Sequence, residues 1–171
     1  IKILTNADCY LPEGNFIRAD VLVVGSKLCA IGTFSKDWIS KFPVSVETID
    51  CENFFVAPGL IDPHLHLSGG SGEGGGFFSQ SPQVLVSECL FGGVTTVVGT
   101  LGVDTTTKTM PDLLAKVKAY NEIGLKAYCY VGGYDIPPKT ITGSVRDDLI
   151  FIPEIIGVGE LAIADGRAPE P

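Results

Sequence analysis

The sequence predicts an α/β chain: a small antiparallel β unit, then a parallel sheet built from βαβ units. Three observations carry this. Short strand-like runs crowd the first third. The pattern changes at Ala57-Pro58-Gly59. Beyond it, apolar β-branched runs recur roughly every 30 residues with helical segments between them, the rhythm of parallel strands and crossover helices. The expected domains are 1–58 and 59–171.

In the first domain Ile1–Asn6 alternates as a strand. Residues 20–24 and 27–31 flank Gly25-Ser26, a two-residue turn signal with glycine first. Val44–Ile49 and Phe54–Val56 are two more strands, and Phe34–Phe42 is a helical turn. In the second domain Leu60–Leu67 is an apolar run broken by Asp62, Pro63 and two histidines, and the glycine-rich stretch Ser68–Gly76 follows. Ser81-Pro82 reads as the N-cap and first position of a helix that Gly92-Gly93 stops. Val94–Val98 is a buried strand. Met110–Glu122 is a helix with Leu113, Leu114, Val117 and Ile123 at helical spacing and Gly124 as its stop. Leu125–Val131, a short helix within 142–151 and a strand within 155–163 complete a β-α-β-α-β-α-β order. An open sheet of four strands closes a domain by itself, whereas a (β/α)8 barrel needs twice as many.

Of 171 residues, 45% are hydrophobic and 19% charged, which excludes an intrinsically disordered chain. The formal charge of −8 gives no general attraction to nucleic acid or anionic lipid. No apolar run reaches the roughly 18–20 residues of a membrane-spanning helix, and Ile1-Lys2-Ile3-Leu4 lacks a signal-peptide layout. The five cysteines are odd in number, widely spaced and without Cys-x-x-Cys. They read as small buried residues of an intracellular, cytoplasmic protein.

His64-Leu65-His66 is the sharpest chemical feature. In a strand, residues i and i+2 share a face, so both imidazoles converge where a divalent metal such as zinc is held. These are the only histidines in the chain, and they end an apolar strand, where parallel α/β folds place their sites. A bare His-x-His also fits two surface or core histidines. Glu73, in the glycine stretch, equally fits a solvated loop. Tyr134 fits a half-buried strand end.

Ala57-Pro58-Gly59-Leu60-Ile61-Asp62-Pro63-His64-Leu65-His66 resembles the first barrel strand of the amidohydrolase superfamily, and the preceding β unit is similar to part of the small β-sandwich those enzymes carry. Gly69-Gly70-Ser71-Gly72-Glu73, Gly93–Gly99, Gly132-Gly133-Tyr134, Thr140–Val145 and Ile163–Arg167 narrow the likeness to the isoaspartyl (β-aspartyl) dipeptidases, over essentially the whole chain.

The resemblance implies the first half of a (β/α)8 metal-dependent hydrolase barrel, with four parallel strands. It implies one or two zinc ions and hydrolysis of the isopeptide bond of β-aspartyl dipeptides. His64 and His66 would be ligands, and Tyr134 would polarise the scissile carbonyl. Glu73 would bind the substrate α-ammonium and Arg167 its α-carboxylate, with Ser71 and Val103 among the substrate-binding positions. It also implies a homo-oligomer.

The sequence departs from the family in several places. Glu160 stands where the family has a bridging carboxylated lysine, and the segment before it carries one residue more; its carboxylate is the expected third ligand. Gly166 replaces a common histidine and Val103 a common threonine. The family's remaining ligands, two histidines and an aspartate, come from strands five, six and eight. The expectation is therefore a chain that is inactive alone and completed by the other barrel half, in cis or in trans. The alternatives are another amidohydrolase reaction, such as cyclic-amide hydrolysis or deamination, and a non-catalytic half-barrel that docks a partner chain.

Overall fold

The computed structural model describes residues 1–71 and 76–162. The chain divides into two compact units, Ile1–Pro58 and Gly59 onward.

The first unit is a five-stranded sheet. Its strands are β1 (Lys2–Tyr10), β2 (Phe16–Val24), β3 (Lys27–Gly32), β4 (Glu47–Asp50) and β5 (Phe55–Val56), with α1 (Lys36–Ser40) between β3 and β4. The hairpin at Gly25-Ser26 forms as expected, with Gly25 at φ 60°. The unit is mixed rather than antiparallel, because β4 and β5 both pair parallel to β1. The cause is the crossover through 33–46: a connection that long carries the chain back over the sheet to start β4 in the direction of β1, which a tight hairpin cannot do.

β1 bulges between Leu4 and Ala7. Asn6 takes φ 58° there, its N–H donates to Asp20 Oδ1 at 3.0 Å, and its amide donates to Asp50 Oδ1 at 3.0 Å. Asparagine tolerates this left-handed conformation better than most residues. The core is small: Ala7, Cys9, Ala19 and Val21. Cys9, Cys89 and Cys129 are buried as expected, Cys51 is half-buried, and Cys29 is exposed. Cys29 lies on β3 at the sheet's edge, where neighbouring positions are also open to solvent.

The second unit carries a four-stranded, all-parallel sheet in the order β6-β7-β8-β9. These are Leu60–Leu65, Val94–Gly99, Lys126–Val131 and Ile155–Val158, joined through helices α2 (Val86–Phe91), α3 (Met110–Ile123) and α4 (Val145–Phe151). Strand order equals chain order, the simple progression of a (β/α)8 barrel, and the fold is the first half of such a barrel.

Helix α3 starts where Thr109 Oγ1 accepts from the Asp112 N–H at 3.3 Å, and it ends at Gly124 with φ 105°. It buries Met110, Leu113, Val117 and Tyr120. Ile123 is exposed and Tyr120 takes the inward position instead. Helix α2 begins four residues later than the Ser81-Pro82 signal suggests. Ser81 Oγ is engaged elsewhere, accepting from the Gly70 N–H at 2.7 Å. The cap is supplied by Glu88, whose carboxylate accepts from the Leu85 N–H at 2.7 Å.

The core between sheet and helices joins Leu67, Val97, Leu101, Leu113, Val117, Ala127, Cys129 and Val131. Gly99 is part of its fit: a Cβ there would lie 2.8 Å from Leu113 Cδ1 and 2.8 Å from Leu67 Cδ1. Both leucines are fully buried. Gly99→Val is therefore expected to lower stability by about 2 kcal/mol through overpacking. Urea denaturation checks this as a lower midpoint with unchanged slope.

Candidate metal centre

The site is built at the C-terminal end of the sheet. Pro63 has no N–H to give to the ladder, and the β6–β7 register is interrupted between Asp62 and Leu65. Asp62 compensates, its carboxylate accepting from the His64 N–H at 3.0 Å. The strand ends at Leu65, so His66 lies one residue beyond it, yet the two rings remain neighbours with centroids 5.6 Å apart.

Glu160 follows β9. His64 Nε2 lies 2.7 Å from Glu160 Oε1. Flat sheet geometry would separate the first and fourth of four strands by about 14 Å. Contact between side chains from these two strands therefore requires the sheet to curl, as a barrel wall does. Below Glu160, Tyr130 packs on backbone without side chains: a Cβ on Gly157 would lie 3.1 Å from the Tyr130 ring. One ligand-capable atom from each of His64, His66 and Glu160 falls within 4.8 Å of the others. Glu160 Oε2 is buried without a hydrogen-bond partner among the described residues. Two imidazoles and a carboxylate with an unused oxygen suit a divalent metal of borderline softness. This is a candidate His/His/Glu metal site.

Of the other expected site residues, Ser71, Val103 and Tyr134 stand on loops at the same ends of the strands. Ser71, 3% exposed, lies in the glycine-rich stretch after β6, and its hydroxyl donates to Asp104. Val103 is half-buried in the loop after β7. Tyr134 is half-buried after β8, and its N–H donates to Gly102 O at 3.2 Å. Glu73 and Arg167 lie outside the described residues, as does Gly166.

Sequence reasoning missed the polar web that joins these loops: Asp104, Thr105, Thr107, Gln80 and Asp135. The only local signal was Asp104-Thr105-Thr106-Thr107, a string of side chains suited to turns that bond back to their own backbone.

No protein-family model matches the sequence. A dihydroorotase of Lactobacillus gasseri is 30% identical over 120 residues, which cover 70% of this chain and 25% of that protein. This likeness and the half-barrel are similarities to the amidohydrolase superfamily. Within it, the likeness is to β-aspartyl dipeptidase, as an N-terminal portion. The crystal structure of the enzyme from Fervidobacterium islandicum AW-1 in complex with β-Asp-Leu dipeptide superposes with a TM-score of 0.90 at 42% identity, covering 100% of this chain and 43% of that one. A second structure of that enzyme gives 0.90 at 41%, covering 99% and 45%. The chain thus spans less than half the length of the solved dipeptidases and about a quarter of the dihydroorotase.

Proposed function

We propose that the chain supplies one half of the active site of a zinc-dependent β-aspartyl dipeptidase that cleaves the isopeptide bond of β-aspartyl dipeptides. The supporting observation is the convergence of His64, His66 and Glu160 in a chain that is 42% identical, over 100% of its own length, to part of a β-aspartyl dipeptidase. These three residues would hold the metal. Zinc bound there supplies a Lewis acid for the amide carbonyl and lowers the pKa of water. Glu160 presents a carboxylate without the modification that a lysine requires.

The remaining roles belong to residues of this chain. The Tyr134 phenol donates a hydrogen bond to the oxygen on which charge develops. Glu73 takes the substrate α-ammonium in a charge-assisted hydrogen bond, and Arg167 forks onto its α-carboxylate. Ser71 and Val103 shape the walls. The residues that complete the ligand set would belong to the other barrel half, in cis or in trans. The whole protein is a cytoplasmic homo-oligomer in this reading. The unpaired state of all five cysteines is in line with that compartment, and no helix among the described residues is long and apolar enough to cross a membrane.

The similarity to dihydroorotase supports a second reading, hydrolysis of a cyclic amide. Turnover decides between them. The full-length, zinc-loaded protein is expected to release Leu from β-Asp-Leu, to stop on chelation, and to lose affinity for the dipeptide in Glu73→Gln. Cleavage of a cyclic amide with β-Asp-Leu left intact contradicts the dipeptidase reading.

A further inference from the structure

Asp104 sits between two loops and is saturated with donors. Its Oδ2 accepts from the Ser71 and Thr107 hydroxyls. Its Oδ1 accepts from the N–H groups of Thr106 at 3.0 Å and Thr107 at 2.7 Å. Burial pushes this carboxyl up, but hydrogen bonds from Ser71, from the Thr107 side chain and from the two backbone N–H groups outweigh it and hold it at about 2. It is therefore charged at neutral pH and committed to these four donors.

Ser71 is equally committed. A hydroxyl has one proton to give, and Ser71 gives it to Asp104 while accepting from Gln80 Nε2 at 2.7 Å. The backbone beside it is stapled as well. Gly69 N–H donates to His66 O at 2.9 Å, and Ser81 N–H donates to Gly70 O at 2.9 Å. The backbone between His66 and Ser71 is thus tied at Gly69, Gly70 and Ser71.

The loop that carries Asp104 is itself anchored on its far side. Thr105 donates to Asp135, and Tyr134 N–H reaches Gly102 O at 3.2 Å. Gly133 allows this approach: a Cβ there would lie 2.8 Å from Gly102 O. Asp104 cannot shift without moving the loop that holds Tyr134.

We propose that Asp104 is a positioning residue for substrate capture, holding Ser71 in the loop after β6 and tying it to the loop after β7. The proposal deepens the dipeptidase reading and rests on it for the substrate. It also makes Ser71 an anchor for its loop rather than a donor to substrate, since its proton is already engaged.

The test uses full-length, zinc-loaded protein and the variants Asp104→Asn, Ser71→Ala and their double. With β-Asp-Leu, each single variant is expected to raise KM about tenfold with kcat within about threefold. The double variant should be no worse than either single one, because the two residues act as one unit. Amide exchange over residues 68–71 and 76–81, measured without substrate, should speed up in Asp104→Asn. An unchanged KM in an active protein, or a roughly hundredfold additive loss in the double variant, overturns the proposal. So does unchanged exchange, whatever the activity. If the wild-type protein leaves β-Asp-Leu intact while exchange rises in the variant, the substrate reading fails and the clamp stands.

Discussion

Replacing His64 with alanine in the full-length protein is expected to lower kcat/KM for β-Asp-Leu by a factor of about a thousand or more, roughly 4 kcal/mol of transition-state stabilisation, and to reduce bound zinc. The size follows from the geometry. His64, His66 and Glu160 are the proposed ligand set among the described residues, with candidate donor atoms within 4.8 Å of one another. Removing one imidazole leaves His66 and Glu160 with an incomplete set. Glu160→Gln is expected to act similarly, because a neutral carboxamide is a poor ligand beside two imidazoles. Metal content measured with steady-state rates on the same samples checks both variants. If either one retains full zinc and full activity, the histidines and Glu160 are ordinary residues at a strand end.

The second large effect is expected at Asp148. This carboxyl group is fully buried on α4. It accepts from the N–H groups of Ile141 and Thr142, both at 2.8 Å, and from Thr142 Oγ1 at 2.6 Å. It therefore pins the 140–143 segment onto the helix. Asp148→Ala removes these bonds together and strands two backbone donors, a cost of about 3 kcal/mol. Asp148→Asn keeps an acceptor oxygen and should lose about half as much. Urea denaturation is the measurement. A midpoint unchanged in Asp148→Ala would mean the segment is held by something else.

Much of this architecture was legible because its signals are local. The glycine-led turn at Gly25 and the Gly124 stop of α3 each depend on a few adjacent residues, and both formed. The features that were misread depend on partners far along the chain. Ser81 has the chemistry of an N-cap, but Gly70 claimed its oxygen from eleven residues away. The parallel pairing of β4 and β5 with β1 is a matter of crossover path, which strand propensity does not encode.

The metal candidates were legible for a different reason. Histidine is scarce in this chain, and the two that exist are spaced by two at a strand end. Glu160 was found only through resemblance; composition and spacing gave no cause to choose it over other acidic residues. The Asp104 web stayed hidden because its members span residues 71–135 and meet only when the loops of β6, β7 and β8 gather at one end of the sheet.

The most direct test of the metal centre is anomalous diffraction at the zinc edge from crystals of the full-length, zinc-loaded protein. The account predicts a peak within coordination distance, about 2.0–2.2 Å, of an imidazole nitrogen from His64 and from His66 and of a Glu160 carboxylate oxygen. A peak that makes no contact with these three residues, or a fully active protein with no zinc peak there, contradicts it.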